Sequence, residues 1–551
     1  MRHDGLGELF YQRRVDPPAV GLPAVMLPGV PTLLLMLAGA GTPRGLPHER
    51  EAVVGLVAES GRPTSPGAQA PRYEPEDTVE SVVSPGGRFR IHFTRQGTHA
   101  VPPADADGSG VPDFVELVGR TYERVATFYV DLGFRLPPDD TNPAGDDGGD
   151  GRFDVYLVDF AGIGDGAFRQ ETCLDGVTRC TGFMLQENDF TGYNYPSDAE
   201  AVEILASHEF FHAVQAAYRP DLGGVASEGT AVWATERFEP ALDDLEHFTR
   251  GYMLTPDSTL VLDPAGPGVT FIYGAGLFFQ FVGERYGDGA LVALLEESVR
   301  QPEARWPVLL DTCLRRDFAS SFDAAFALFA TWNLGTGPRA TPGFGYARGE
   351  GYAPVAKTAA ELPTTIDRVR VAAAASRIFE VPGGASFVGA SFEPEPGIDP
   401  ATVHLVVAAV TDDAVLRVAT VDGPNALRTQ VAADDATRVM VAVVDGRMEG
   451  LGRYGRLCIA ATGQAASCAP LDATDAGTDA GTDAGTSDAG ADAGTADAGT
   501  VDAGRPVDPI DDPRTPSDDG GCQAAGGPLS GALIALLLGG GLRARRRSRA
   551  R

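Results

Sequence analysis

His208, Glu209 and His212 fall in the order H-E-x-x-H. On a helix, side chains four apart share a face, so both imidazoles can turn a ring nitrogen to one divalent cation. Glu209, one residue round, can then reach a water on that cation. Two neutral nitrogen donors, a carboxylate base and an open coordination position are what metal-assisted hydrolysis of an amide needs. Histidine is scarce, with 8 in 551 residues, so two at this spacing are informative. An unpaired glutamate beside two histidines on a buried face would be costly, and a cation accounts for all three. Two His plus a carboxylate suit Zn²⁺ best among the common divalent ions.

A third protein ligand is required. Two glutamates in residues 227–236 are available, Glu228 and Glu236; the latter could instead hydrogen-bond a ligating histidine. In such a site Glu209 takes a proton from the water and passes it to the leaving amine. The oxyanion of the tetrahedral intermediate needs a donor beyond the cation. Tyr273, within 271–276, is a candidate, its other reading being a packed core tyrosine.

The elements that must position these groups are legible. Ser197 and Glu200 have the spacing of a capping box, which starts a helix. Val202, Leu205, Phe210, Ala213, Val214 and Ala217 follow at helical spacing, and no Pro or Gly interrupts 198–218. Arg219-Pro220 ends the run, and the turn 220–224 lets a second helix carrying Glu228 fold back on the first.

Residues 105–116 suggest a second ion site. Asp105, Asp107, Asp113 and Glu116 stand at positions 1, 3, 9 and 12 of an EF-type calcium loop, with Ser109 at 5, Gly110 at 6 and the Val111 carbonyl at 7. A helix is expected after it, over 115–132, whereas Pro102-Pro103 precludes one before it. The arrangement is half an EF-hand, and a structural Ca²⁺ is expected there rather than a solvated acidic turn. A second acidic, Gly-rich stretch, Asp139-Asp140 and 146–150, lacks the register.

The formal charge of −32 argues against nucleic-acid binding. Arginine supplies the positive charge apart from a single lysine, Lys357. The apolar run 31–40, with small residues after it, reads as a signal peptide within 1–42, with cleavage near 40–42 and Met26 an alternative start. Residues 43–74 form an N-terminal segment or propeptide. A metallopeptidase-type domain over 75–362 is followed by short Val-rich alternating runs over 363–470, among them 402–410, 415–421 and 438–444, which predict a small β-sandwich. Within the first domain 153–158 is strand-like, and 276–286, 289–299 and 319–332 have helical spacing. Thr-Asp-Ala-Gly repeats make 471–520 an acidic, solvated linker. Residues 521–551 hold Cys522, an apolar stretch and an arginine cluster. Cys173 with Cys180 and Cys458 with Cys468 are spaced for local disulfides in an oxidising compartment, which leaves Cys313 over.

Three resemblances add to this. Residues 227–236 resemble the second helix of gluzincin-type zinc peptidases, where an early Glu completes the metal site, which implies Glu228. Residues 521–551 resemble the myxobacterial C-terminal sorting tail, whose family is displayed at the cell surface or released; a plain membrane anchor is the alternative. His92-Phe93-Thr94, 105–116, 154–157, 207–215, 228–236, 273–287 and 329–333 together resemble a family of secreted metalloproteases of myxobacteria. This implies an α+β, zincin-like domain: a small sheet above an active-site helix and a mainly helical lower lobe, with 173–192 as the edge strand and loop where an extended peptide adds.

The expected function is a secreted or surface-displayed zinc endopeptidase acting on protein or peptide substrates. It would depend on export and sorting machinery and meet the membrane only through its tail. A non-catalytic, calcium-dependent adhesion protein is the alternative. An exopeptidase would need a carboxylate or arginine that captures a substrate terminus, and the sequence does not single one out.

Overall fold

The computed structural model describes residues 61–461 apart from 66–67, 141–146, 175–177, 265–267 and 424–425. The expected signal peptide, linker and sorting tail, and with them Cys468 and Cys522, lie outside the described residues. Among those described, no helix is long and apolar enough to cross a membrane. The fold is mixed α+β, with three sheets and nine α-helices among the described residues.

The first sheet contains β1 (Val79–Val83), β2 (Phe89–Thr94), β3 (Phe153–Leu157), β4 (Gly166–Cys173) and β5 (Cys180–Gln186) in the order β1-β2-β3-β5-β4. β2, β3 and β5 run parallel, and β1 and β4 are antiparallel edges. One face rests on α1 (Asp113–Asp131) and α2 (Asp198–Ala216), where Phe210 of α2 meets Phe89 and Phe153 at ring separations of 5.2 and 5.3 Å. The expected edge strand is thereby corrected. Cys180–Gln186 is buried along its whole length between β3 and β4, and the free edge belongs to Gly166–Cys173. A parallel neighbour on one side and a hairpin partner on the other account for the unbroken burial of β5. The Cys173–Cys180 disulfide closes that hairpin.

The described part of 43–74 covers the opposite face of the sheet from α2. The Tyr73 hydroxyl donates to the carbonyls of His92 and Leu157, at 3.0 and 2.9 Å. The buried Arg62 guanidinium pairs with Asp140, Asp154 and Glu171. Asp150 pairs with Arg90 and Arg152. In the second acidic stretch Asp140 and Asp150 are thus paired with arginines, and Asp147 accepts the Gly149 N–H at 3.0 Å.

α2 begins as its capping box predicts, with Ser197 Oγ accepting from the Glu200 N–H at 3.2 Å. It is buried from Leu205 to Ala216 because the sheet lies on one side and helices on the other. Next come α3 (Gly224–Phe238), α4 (Asp244–Met253), α5 (Val269–Gly274), α6 (Gly276–Tyr286), α7 (Gly289–Arg300), α8 (Trp306–Asp317) and α9 (Phe322–Trp332). α3 approaches α6 closely at Gly229, where a Cβ would stand 2.6 Å from the Phe279 ring. This contact holds the helix carrying Glu228 against the one that follows Tyr273.

The sandwich consists of a five-stranded sheet, β11-β10-β13-β8-β6, facing a four-stranded one, β12-β9-β14-β7. Its strands are β6 (Thr358–Ala359), β7 (Thr364–Val371), β8 (Ala375–Pro382), β9 (Phe387–Pro394), β10 (Val403–Val410), β11 (Val415–Asp422), β12 (Arg428–Ala432), β13 (Arg438–Asp445) and β14 (Arg453–Ala460). β6 joins it slightly ahead of the expected start at 363. Leu405, Val407 and Ala409 of β10 fill the sandwich core, whereas Val406, Ala408 and Val410 pack into the core shared with the helices. At this junction the His404 imidazole lies between Asp323 and Asp422, at 2.8 and 2.7 Å.

Candidate metal centre

α2 and α3 bring His208, His212 and Glu228 together. Both His Nε2 atoms face Glu228 Oε2, at 3.2 Å from His208 and 3.4 Å from His212. One donor atom from each of the three residues lies within 4.8 Å of the others. Glu236 is elsewhere. It is eight residues further along α3, about 12 Å at 1.5 Å per residue, and its carboxylate accepts from Arg348 at 2.9 Å. Burial, with Glu246 beside it, pushes its carboxyl up to about 8.

The donor set fits a divalent cation. His212 Nε2 is buried and faces Glu228 Oε2. Its Nδ1 meets Gln215 Oε1 at 2.9 Å, while the Gln215 amide donates to the Ser227 carbonyl and to Thr230 Oγ1, both at 2.8 Å. A carbonyl can only accept, so the amide nitrogen faces Ser227 and the Gln215 oxygen faces the imidazole. His212 therefore carries a proton on Nδ1, which leaves Nε2, turned toward Glu228, as the nitrogen a cation would take. Sequence reasoning assigned Gln215 no role, although three residues after His212 it lies on the same helix face.

Charge is distributed unevenly here. Burial lowers His208. Burial acts on His212 in the same sense, but Glu228 outweighs it and pushes the imidazole up to about 9. Glu228 is itself held below its ordinary value by the two imidazoles, against the effect of burial.

Glu209 stands beside this group and accepts the Phe168 N–H from the free edge of β4 at 3.1 Å. Burial pushes its carboxyl up to about 8, with Glu228 and Asp165 acting in the same direction and His212 against them. The Tyr273 ring stacks on His208 at 5.4 Å, and its hydroxyl is hydrogen-bonded to Glu228. Tyr273 is thus a buried residue whose hydroxyl reaches a member of the cluster. His208, Glu209 and Tyr273 line a cavity with Ile204, Leu205, Phe248 and Asp244 that encloses about 20 Å³, room for one water. Asp165 and Asp244 were not anticipated; they come from a loop and a helix whose approach to Glu209 is set by tertiary folding.

The acidic loop also gathers as expected. Asp105, Asp107 and Asp113 each bring an oxygen within 4.8 Å of the others. Asp105 accepts the Ser109 and Gly110 N–H groups at 3.0 Å each, and Asp107 accepts that of Ser109 at 2.9 Å. The Ser109 hydroxyl meets Glu116 at 3.0 Å and the Val111 carbonyl at 3.3 Å. Three of the six expected ligands thus lie together, on a loop that α1 follows and that no helix precedes among the described residues.

No family model and no curated protein matches the chain. Among solved structures, it is similar to the pre-peptidase C-terminal domain of collagenase from Bacillus anthracis, at 14% identity and a TM-score of 0.16 over 19% of this chain and 97% of that one. It is also similar to PliG, a periplasmic inhibitor of g-type lysozyme from Aeromonas hydrophila, at 8% identity and a TM-score of 0.14 over 19% and 98%. Likenesses this slight carry no argument about activity.

Proposed function

We propose that this protein is a zinc-dependent endopeptidase of zincin-like fold, secreted or displayed at the cell surface, with His208, His212 and Glu228 as the metal ligands. The observation that carries the reading is the convergence of His208 Nε2, His212 Nε2 and a Glu228 carboxylate oxygen on one buried point, with Glu209 lining the adjoining cavity beside His208. When bound, zinc would lower the pKa of a water and polarise the scissile carbonyl.

The chain's own residues supply the rest. Gln215 fixes the tautomer of His212. The Phe168 N–H orients Glu209, which accepts the water's proton and delivers it to the leaving amine. The Tyr273 hydroxyl, already aimed at Glu228, donates to the developing oxyanion. The free edge of β4 offers backbone groups along which an extended peptide can lie next to Glu209. The loop 105–116 binds a structural Ca²⁺ through Asp105, Asp107, Ser109, Val111, Asp113 and Glu116. The Cys173–Cys180 disulfide supports an oxidising location.

The test is hydrolysis of unfolded casein and a mixed peptide library by the purified, zinc-loaded chain. Cleavage that disappears in Glu209→Gln is expected. An inert wild type, or a variant as active as wild type, would overturn the reading.

A further inference from the structure

The cavity beside Glu209 contains a carboxyl group that the proposed chemistry does not use. Asp244, the first residue of α4, shares it with His208, Glu209 and Tyr273. Its side chain is 9% exposed, and Oδ2 is buried without a hydrogen-bond partner. An acid in the first turn of a helix favours the helix dipole, but that role is served at the surface and does not call for burial. A desolvated, unpaired carboxylate is costly to maintain.

The groups around it compound the cost. Burial first, then Glu246 on the same helix and Asp165 just before β4, push the Asp244 carboxyl up to about 7. Asp165 accepts from the Tyr195 hydroxyl at 2.5 Å. Among the described residues no ion pair involves Asp244. Ile204, Leu205 and Phe248 form the apolar part of the wall. A carboxylate behind apolar walls suits a cation borne on an aliphatic stem.

We propose that Asp244 determines specificity by binding a cationic nitrogen of the peptide substrate next to the scissile bond. The inference rests on the peptidase reading above and adds a substrate class to it. The cavity admits a group about the size of a water, so the nitrogen is an ammonium, borne by a lysine side chain or by the free α-amino group of the substrate, and arginine serves as the oversized control. A site for the α-amino group would make the enzyme an exopeptidase that trims amino termini.

The experiment measures kcat/KM of the zinc-loaded full chain on peptides identical except for one position, Lys, Arg, Gln or norleucine, each with a free or an acetylated amino terminus. Wild type is expected to prefer the ammonium-bearing member of a pair by about tenfold or more, since a buried polar group left unpaired discriminates strongly. In Asp244→Asn the preference should shrink to about twofold, and Asp244→Glu, which keeps the charge, should retain most of it. A preference that follows Lys in acetylated peptides assigns the side chain as the source; one abolished by acetylation assigns the α-amino group. Cleavage with no cationic preference, or with the same preference in Asp244→Asn, would overturn the inference and leave the peptidase reading intact. Cleavage of none of the peptides by wild type would overturn both.

Discussion

Two clusters of potential ligands differ in how they are held. His208, His212 and Glu228 are each at most 6% exposed, whereas Asp105 and Asp107 lie exposed on a loop. The first cluster is oriented by side chains of two helices, with Gln215 behind His212 and the N–H of Phe168 on Glu209. The second is oriented by its own backbone, through the N–H groups of Ser109 and Gly110. A buried, externally braced set suits tight binding and chemistry, because desolvation strengthens each charge and the braces fix direction. An exposed, self-braced loop suits a hard cation held weakly by oxygen, whose effect is to stiffen the loop and the start of α1.

Perturbing each cluster in turn should sharpen that contrast. The largest effect is expected from Glu209→Gln, which keeps shape and removes the base: kcat should fall by about 10²–10⁴-fold with zinc content unchanged, as read by parallel kinetics and metal analysis. Gln215→Ala should weaken zinc binding by about 10–100-fold, measured by competition with a chelator, because His212 is then free to turn. At the acidic loop, Asp105→Asn with Asp107→Asn should remove the response of Tm to added Ca²⁺, a shift of a few degrees in wild type, and leave zinc content untouched. If zinc were lost as well, the two clusters would be coupled and the contrast would fail.

The smallest effect concerns neither cluster but the junction behind them. His404 between Asp323 and Asp422 has its imidazole raised by the two carboxylates, against the opposing effect of burial. A folded pKa above the unfolded one means that the stabilisation is fully present below the ordinary histidine range and is lost as pH rises through the folded value. Urea unfolding of wild type and His404→Gln should therefore differ more at about pH 6 than at about pH 9. An equal gap at both would show that the imidazole acts there by packing alone.

How much the sequence disclosed depends on how local each signal is. The H-E-x-x-H pair, the Ser197 cap and the register of 105–116 depend on neighbours a few residues apart, and each appears where its spacing placed it. The strand over 402–410 was legible as a Val-rich run, but not its burial: β10 is covered on both faces, so its apolar residues run on without the expected alternation. The edge strand was not legible. Whether β4 or β5 faces solvent depends on β5 inserting between β3 and β4, and no local periodicity encodes the order of strands. The same holds for Asp165 and Asp244, whose approach to Glu209 is a product of tertiary packing. α4 was not among the expected helices; it carries Gly251 where a Cβ would meet the Thr270 carbonyl, a contact set by tertiary packing. The choice between Glu228 and Glu236 lay on one helix, and it turned on which end of α3 faces the histidines.

Zinc stoichiometry of the purified full chain, in wild type, Glu228→Ala and Glu236→Ala, tests the central claim most directly. The account predicts one zinc in wild type and in Glu236→Ala and none in Glu228→Ala. Zinc kept without Glu228, or a wild type that takes up none after reconstitution, would contradict it.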